Sequence, residues 1–558
     1  MLGAGLALCA CKPPHASPPQ KPLEKKPPLG PAAPKEAPGA SWLRVDCQAK
    51  ARPISPGIYG VAFNPQLAED DTALYLGATA RRWGGNPSSR YNWKLGNAWN
   101  AAADWYFRNL NYTHNPEWSY KNFLHQQRQW GLHTALTLPM LGWVAKDTTS
   151  FGFPRELFPR QQAFEKYHPR IGNGLSPRGK PLRPGPPSLT SVPAPPERVG
   201  EWVQAIREAD IAQGHGRSVH LYFLDNEPNL WHKTHRDVHP KPLGYSDLLE
   251  KTIALIRALR KVDPEAVVAG PCEWGWTHFF WSAKDMAEGG KRLAPDRRAH
   301  GNVPLVPWYL QKLYEHQQNT GERMLDVLDL HHYPQGPGVW NAQGGKVDEK
   351  TNALRLRATR ALWDENYKDE SWVRDSIQLI PRMRAWVEEH YPGLQLSIGE
   401  YNFGGENHPS GGLAQAEALG RFAQEGLHHA FSWPLPKKGS AAAQGFRAFR
   451  NYDGNGARFL DYFLPSHTSQ EVSAFVSSFA STNAQRSQLT LVLLNLHASN
   501  PQTLSLSLQR CGPVVQARQF ITRFGEAGLV QTQATTDTLL LPPYSLVVLE
   551  LHMQGEET

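Results

Sequence analysis

The chain runs to 558 residues with 40% hydrophobic and 20% charged side chains, which exceeds one ordinary domain and predicts a large globular domain with a smaller companion. The formal net charge of +8 is modest for this size, and about +3 of it comes from Lys12 to Ala40, where five lysines face Glu24 and Glu36; no basic run interleaved with aromatics suggests a nucleic-acid partner. Only Cys47, Cys272 and Cys511 follow Cys9 and Cys11, which excludes a disulfide-dense scaffold and a cysteine metal cluster.

In chain order, the small and apolar stretch Met1 to Ala10 leads into Leu8-Cys9-Ala10-Cys11, which resembles a bacterial lipobox with Cys11 as the lipidated residue, although no basic segment precedes it. Residues 1–11 are read as a signal segment. Residues 12–41, dense in Pro, Ala and Lys, have almost nothing to bury and read as a disordered tether. These features predict an exported protein, either a cell-surface or outer-membrane lipoprotein or an extracellular one. No later run approaches the length of a membrane span, so a membrane is expected as partner only through a lipid anchor.

Residues 42–55 carry a short strand pattern, Trp42–Asp46. Strand-like and helix-like segments then alternate through residues 56–465, the strands falling at Ile58–Val61, Thr79–Trp83, Thr134–Leu138, His220–Leu224, Ala266–Gly270, Val327–His331, Leu396–Glu400 and Ala430–Trp433. Amphipathic patterns such as Arg198–Gln213, Tyr245–Val262, Val306–Thr320 and Gly412–Gly426 supply the crossovers that parallel strands need. Eight such strands predict an α/β fold, a (β/α)8 TIM-like barrel. Thr148–Pro196, rich in Pro, Gly and Arg without periodicity, reads as a βα insertion at the active-site face. Residues 466–558 change to short alternating segments and predict an accessory antiparallel β-sandwich, completed by Trp42–Asp46. Cys47 and Cys511 both fall in this β domain, so a bridge between them is open to a chain in an oxidising compartment.

The chemistry points to two strand ends. Tyr222-Phe223-Leu224-Asp225-Asn226-Glu227-Pro228 and Leu396-Ser397-Ile398-Gly399-Glu400-Tyr401-Asn402 each deliver a glutamate to the C-terminal mouth of a barrel strand. A lone glutamate there is more often a surface charge, but two in aromatic- and amide-rich surroundings are what retaining glycoside hydrolysis requires. Glu227 is the candidate acid/base, Glu400 the candidate nucleophile, and Asn226 the ligand of the sugar 2-hydroxyl. Tyr333 is a candidate to hold the nucleophile, and His331 to line the cleft. His331 and His332 make a poor metal pair, because neighbours on a strand point to opposite faces, and one buried beside one solvated histidine is the plain alternative. Nineteen tryptophans invite a search for sugar-stacking platforms, with Trp83, Trp93, Trp143, Trp231 and Trp433 as candidates beside the amides of Asn86 and Asn92. Trp308 and Trp340 are further candidates, and each of these rings is individually a candidate for packing alone.

The motifs Arg82-Trp83-Gly84-Gly85-Asn86, Ser89-Arg90-Tyr91-Asn92-Trp93, Met140-Leu141-Gly142-Trp143-Val144, Asp225-Asn226-Glu227-Pro228, Glu400-Tyr401-Asn402 and Arg450-Asn451-Tyr452-Asp453-Gly454 resemble glycoside hydrolase family 44. The resemblance spans about Arg82 to Gly454 and implies a barrel plus β-sandwich that acts as an endo-β-1,4-glucanase or xyloglucanase. It assigns Glu227 as acid/base and Glu400 as nucleophile. It implies a β-glucan polysaccharide as partner, a monomer, and no required cofactor. Family members can bind a structural calcium ion near acidic barrel loops, but here the insertion after Trp143 is basic and offers no nameable ligand set. A xylanase or mannanase of the same mechanism, or a non-catalytic carbohydrate-binding lipoprotein, are the alternatives.

Overall fold

The structure is a computed structural model that describes residues 41–65, 70–341, 344–522, 524 and 528–554. The signal and lipobox reading of residues 1–11, and all of the tether but Ser41, lie outside the described residues. Ser41 onward forms one compact unit.

Eight parallel strands close into a barrel in the order Gly60–Ala62, Ala80–Trp83, His133–Leu138, Leu221–Leu224, Val268–Glu273, Val327–His332, Gln395–Tyr401 and His429–Ser432. Each overlaps one of the eight segments picked out by pattern. Side-chain alternation divides every strand between two layers. Phe223 points inward to a small core with Ala80, Ala135, Leu221, Ala269, Cys272, Val327 and Phe431. Tyr222 and Leu224 point outward to the larger core under the helices, which include Pro196–Ala212, Tyr245–Val262, Leu305–Thr320 and Pro409–Glu425.

Three neighbouring strands shift register at their C-terminal ends, between Pro271 and Glu273, between Leu330 and His331, and between Ile398 and Tyr401. A bulge re-aims the side chains beside it. Here the extra residues lie in two strands, Cys272 in Val268–Glu273 and Gly399 in Gln395–Tyr401, the strand that carries Glu400.

The β-sandwich has a four-stranded sheet, Ser466–Thr468, Trp42–Asp46, Gln502–Gln509 and Thr538–Leu541, facing a seven-stranded one. Trp42–Asp46 pairs antiparallel with Ser466–Thr468 but parallel with Gln502–Gln509, so the sandwich departs from purely antiparallel pairing where the chain's two ends meet. In Gln488–Asn495, Leu489, Leu491 and Leu493 fill the sandwich core, while Val492 and Leu494 join the barrel's helix-side core. A strand buried on both faces reads as a continuous apolar run, as this one does. A Cys47–Cys511 disulfide, S–S 2.01 Å, ties the N-terminal strand to the segment after Gln502–Gln509.

Candidate active site

The strand Leu221–Leu224 ends in a turn where two non-glycine residues adopt left-handed backbone, Asp225 with φ 63° and Glu227 with φ 46°. Each such residue costs about 1–2 kcal/mol. The buried Asp225 carboxylate offsets that cost by accepting hydrogen bonds from the Ser89 hydroxyl and from the backbone N–H groups of Met140, Asn226 (2.7 Å) and Leu141 (2.9 Å). The Trp231 indole donates to the Asn226 carbonyl at 3.1 Å, and the Glu227 N–H to the Cys272 carbonyl at 3.0 Å. The turn is thereby held from three sides, and Glu227 faces the barrel mouth.

Glu400 arrives from the opposite side of the barrel. Arg82 Nη1 donates to Glu400 Oε1 and to the Gly399 carbonyl, both at 2.8 Å, while the Tyr333 hydroxyl donates to Glu400 Oε2 at 2.8 Å. Gly399 has to be glycine: a Cβ there would lie 2.5 Å from Asp329 Oδ2. A Glu227 oxygen, a Glu400 oxygen and a ring nitrogen of His331 all lie within 4.8 Å of one another. His331 Nδ1 is 2.9 Å from Glu227 Oε1 and 3.5 Å from Glu400 Oε2.

The two carboxyls differ electrostatically. Burial, then the charges of Glu400 and Glu273, hold the Glu227 carboxyl well above the usual range. Burial also raises Glu400, but the Arg82 guanidinium and the Tyr333 hydrogen bond pull it back. Glu273, accepting from Asn229 Nδ2 at 2.6 Å, is itself pushed up to about 8 by burial. Burial and Arg82 depress His331 well below the ordinary histidine value, so it stays neutral beside Glu227. The site thus pairs a glutamate that holds its proton tightly with one whose anion is stabilised by a guanidinium and a phenol. Glu227, His331 and Glu400 could offer three metal ligands, but the Arg82 guanidinium on Glu400 already places a cation there, and a second would meet its repulsion.

A cleft of about 770 Å³ opens over these groups. Its walls carry Phe63, Trp99, Tyr112, Trp274, Trp340 and Trp433 among amides and carboxylates that include Asn86, Asp104, Asn226, Asn402, Glu406 and Gln415. Trp433 lies over Gly85, whose φ of 79° and the 2.6 Å from an added Cβ to the indole admit no larger residue. Trp340 packs against Tyr333 with centroids 4.3 Å apart and the rings tilted by 31°. A long groove of aromatic faces and amides with two carboxyls on its floor suits a glycan chain.

Residues 98–336 match the family model for glycoside hydrolase family 44. A bifunctional glucanase-xylanase, CelM2, from a metagenome library, superposes with a TM-score of 0.83 at 31% identity over 92% of this chain and 99% of that one. The chain belongs to glycoside hydrolase family 44. Other relatives of this family 44 hydrolase are a xyloglucanase from Paenibacillus polymyxa, at 26% identity and TM-score 0.76 over 92% of this chain and 100% of that one, and Endoglucanase A of Paenibacillus lautus, 29% identical over 543 residues, 92% of this chain and 73% of that protein.

Within this family 44 enzyme, Glu227, Glu400, Asn226, Asn86, Tyr333, His331 and Trp433 converge on the cleft floor and wall. Six other candidates do not. Trp83 is 0% exposed and stacks on Tyr112, Phe63 and Trp118, because alternation along Ala80–Trp83 sends Arg82 into the barrel and Trp83 out to the helix layer. Trp231, also 0% exposed, braces the Asn226 carbonyl. The Trp93 indole donates to the Arg198 carbonyl, and the Asn92 amide to the Ala145 carbonyl. Trp143 sits in the short antiparallel pair of Trp143–Ala145 with Ser191–Pro193. Trp308 packs on Tyr245 and His300. The insertion Thr148–Pro196 follows a strand's C-terminal end, yet none of its residues line the cleft. His331 and His332 are both buried, since a barrel strand is covered on both faces: His331 shares the interior with Asp329, while His332 packs on Phe403. Sequence reasoning missed Arg82, Trp274 and Asp104 as site residues; inward alternation marks Arg82, and Trp274 follows the last residue of a barrel strand.

Proposed function

We propose that this chain is a retaining endo-β-1,4-glucanase that cleaves soluble β-glucans, xyloglucan included, with Glu227 as acid/base and Glu400 as nucleophile. The carrying observation is the separation: carboxylate oxygens within 4.8 Å fit the roughly 5–5.5 Å of retaining glycosidases, whereas inverting ones need about 6.5–9.5 Å to admit a water. Glu400, ionised beside Arg82 and Tyr333, attacks the anomeric carbon while Glu227 passes its proton to the departing glycosidic oxygen. A glycosyl ester on Glu400 results. Glu227, now a carboxylate, takes a proton from water as that water displaces Glu400, and both groups return to their starting states. No cofactor enters this cycle.

The substrate reading draws on the relatives, one a xyloglucanase and one an endoglucanase. The glucanase-xylanase relative favours xylan as a second substrate of the same mechanism. The Cys47–Cys511 bridge supports export to an oxidising compartment.

Reducing-end release from xyloglucan, mixed-linkage glucan, carboxymethyl cellulose, xylan and mannan, with wild type beside Glu227→Gln and Glu400→Gln, tests the substrate class. The mechanism is tested on Glu400→Ala with azide. Azide occupying the vacated face gives the inverted glycosyl azide; a retained azide product would mean the two glutamate roles are exchanged.

A further inference from the structure

Three polar groups of the cleft form a directed chain that ends at Asp104. Arg82 Nη2 donates to Asn226 Oδ1 at 3.4 Å, Asn226 Nδ2 donates to Asn86 Oδ1 at 3.2 Å, and Asn86 Nδ2 donates to Asp104 Oδ2 at 2.9 Å. The two ends fix the direction. A guanidinium only donates and an ionised carboxylate only accepts, so both amides between them must point the same way. Arg82 also holds Glu400, so the chain runs from the counter-ion of one catalytic carboxylate to a carboxylate on the exposed rim of the cleft. Asp104 sits in the turn Ala102–Trp105, flanked by left-handed backbone at Ala102 (φ 53°) and Tyr106 (φ 56°). Such strain is kept where the surroundings over-determine it, and here it aims Asp104 at Asn86.

We propose that Asp104 is a positioning residue that sets the amide orientation of Asn226 through Asn86, and thereby the hydrogen bond Asn226 makes to the 2-hydroxyl of the sugar at the cleavage point. This rests on the retaining glycosidase reading and on Asn226 as the 2-hydroxyl ligand. With Oδ1 turned to Arg82 and one Nδ2 hydrogen on Asn86, Asn226 has its second Nδ2 hydrogen left for the 2-oxygen. The 2-hydroxyl then accepts from the amide and keeps its own proton to donate. Without Asp104 the Asn86 amide loses the partner that distinguishes its two ends. Asn86 can then turn its Nδ2 to Asn226, which leaves the 3.4 Å contact from Arg82 as what still orients the Asn226 amide.

The experiment compares kcat/KM on an aryl β-cellotrioside with that on its counterpart lacking the 2-hydroxyl of the sugar bearing the aryl group. Wild type, Asp104→Ala, Asp104→Asn and Asn226→Ala are measured. Because each readout is a ratio between two substrates on one preparation, a smaller folded fraction cancels. The wild-type preference for the hydroxylated substrate is expected to narrow by about fivefold to tenfold in Asp104→Ala, the size of one neutral hydrogen bond. Asp104→Asn, which can still offer an amide oxygen to Asn86, is expected to recover part of it. A ratio unchanged in Asp104→Ala while Asn226→Ala abolishes it overturns the role of Asp104 alone. Equal losses on both substrates overturn it too, by showing a general effect on the cleft. A ratio unchanged in Asn226→Ala overturns the 2-hydroxyl reading beneath it.

Discussion

Tyr333→Phe removes a single oxygen from the site and isolates what Glu400, the proposed nucleophile, owes to its second donor. The ring remains packed against Trp340 at 4.3 Å, so packing is conserved and only the 2.8 Å bond to Glu400 Oε2 is lost. A buried hydrogen bond to a charged group contributes about 1.5–3 kcal/mol, which corresponds to roughly tenfold to 150-fold in kcat/KM. The loss must also depend on pH. The Tyr333 bond lowers the Glu400 carboxyl, so its removal raises it, and the nucleophile has to be ionised to attack. The acid limb of kcat/KM therefore moves to higher pH, and the deficit is larger in acid than above the limb. The assay is the full pH profile of kcat/KM on xyloglucan oligosaccharides for both proteins. A uniform loss across pH, or a loss under threefold, would refute the assignment of this phenol to the nucleophile.

Trp83→Ala is expected to destabilise by about 3–5 kcal/mol in denaturant unfolding, as for a buried aromatic removed from a packed stack, whereas Trp433→Ala is expected to raise KM with little change in the unfolding midpoint. Serine at both Cys47 and Cys511 should cost about 2–5 kcal/mol of stability and leave kcat/KM unchanged, since the bridge lies in the β-sandwich. At the N-terminal end of the barrel, His133 stacks on His220 at 4.4 Å and His428 meets His429 at 2.8 Å. Burial depresses all four, and neighbouring histidines add to it at His220, His428 and His429, taking His220 to about 4 and His429 to about 3. A histidine depressed on folding contributes stability that is whole above its unfolded value near 6.5 and is lost as pH falls through the folded value. Thermal midpoints measured from pH 7 to pH 4 should fall, and His429→Gln should flatten that slope.

The barrel was legible because its strands are buried on both faces and end in turn chemistry, so Leu221–Leu224 and Val327–His332 stand out as short apolar runs between amphipathic helices. Glu227 and Glu400 were legible for the same reason, as charges placed where an apolar run stops. The tryptophans were not. A Trp beside a strand end has the same local sequence whether it faces the cleft or the helix layer, and one step of alternation separates Arg82 in the barrel from Trp83 in the outer core. Nor were the three register shifts legible, because each depends on the neighbouring strand. Asp104 lay furthest from reach, brought to Asn226 across 122 residues by the loop after the second barrel strand.

The asymmetry between the two glutamates follows from topology more than from the residues beside each one. Arg82 belongs to the strand Ala80–Trp83, and its partner Glu400 to Gln395–Tyr401, with His429–Ser432 and Gly60–Ala62 between them around the barrel. A guanidinium reaching across the interior spans that gap, and its Nη1 engages both Glu400 and the Gly399 carbonyl behind it. Among the described residues no arginine or lysine pairs directly with Glu227, which borders Glu273, a second buried carboxyl. Exchanging the two side chains' roles would leave the attacking group buried beside like charge and the proton donor beside a cation, the reverse of what each task needs. The proposed division of labour is therefore set where Arg82 turns inward, and it depends on glycine at 399, where an added Cβ would lie 2.5 Å from Asp329 Oδ2 behind the nucleophile candidate.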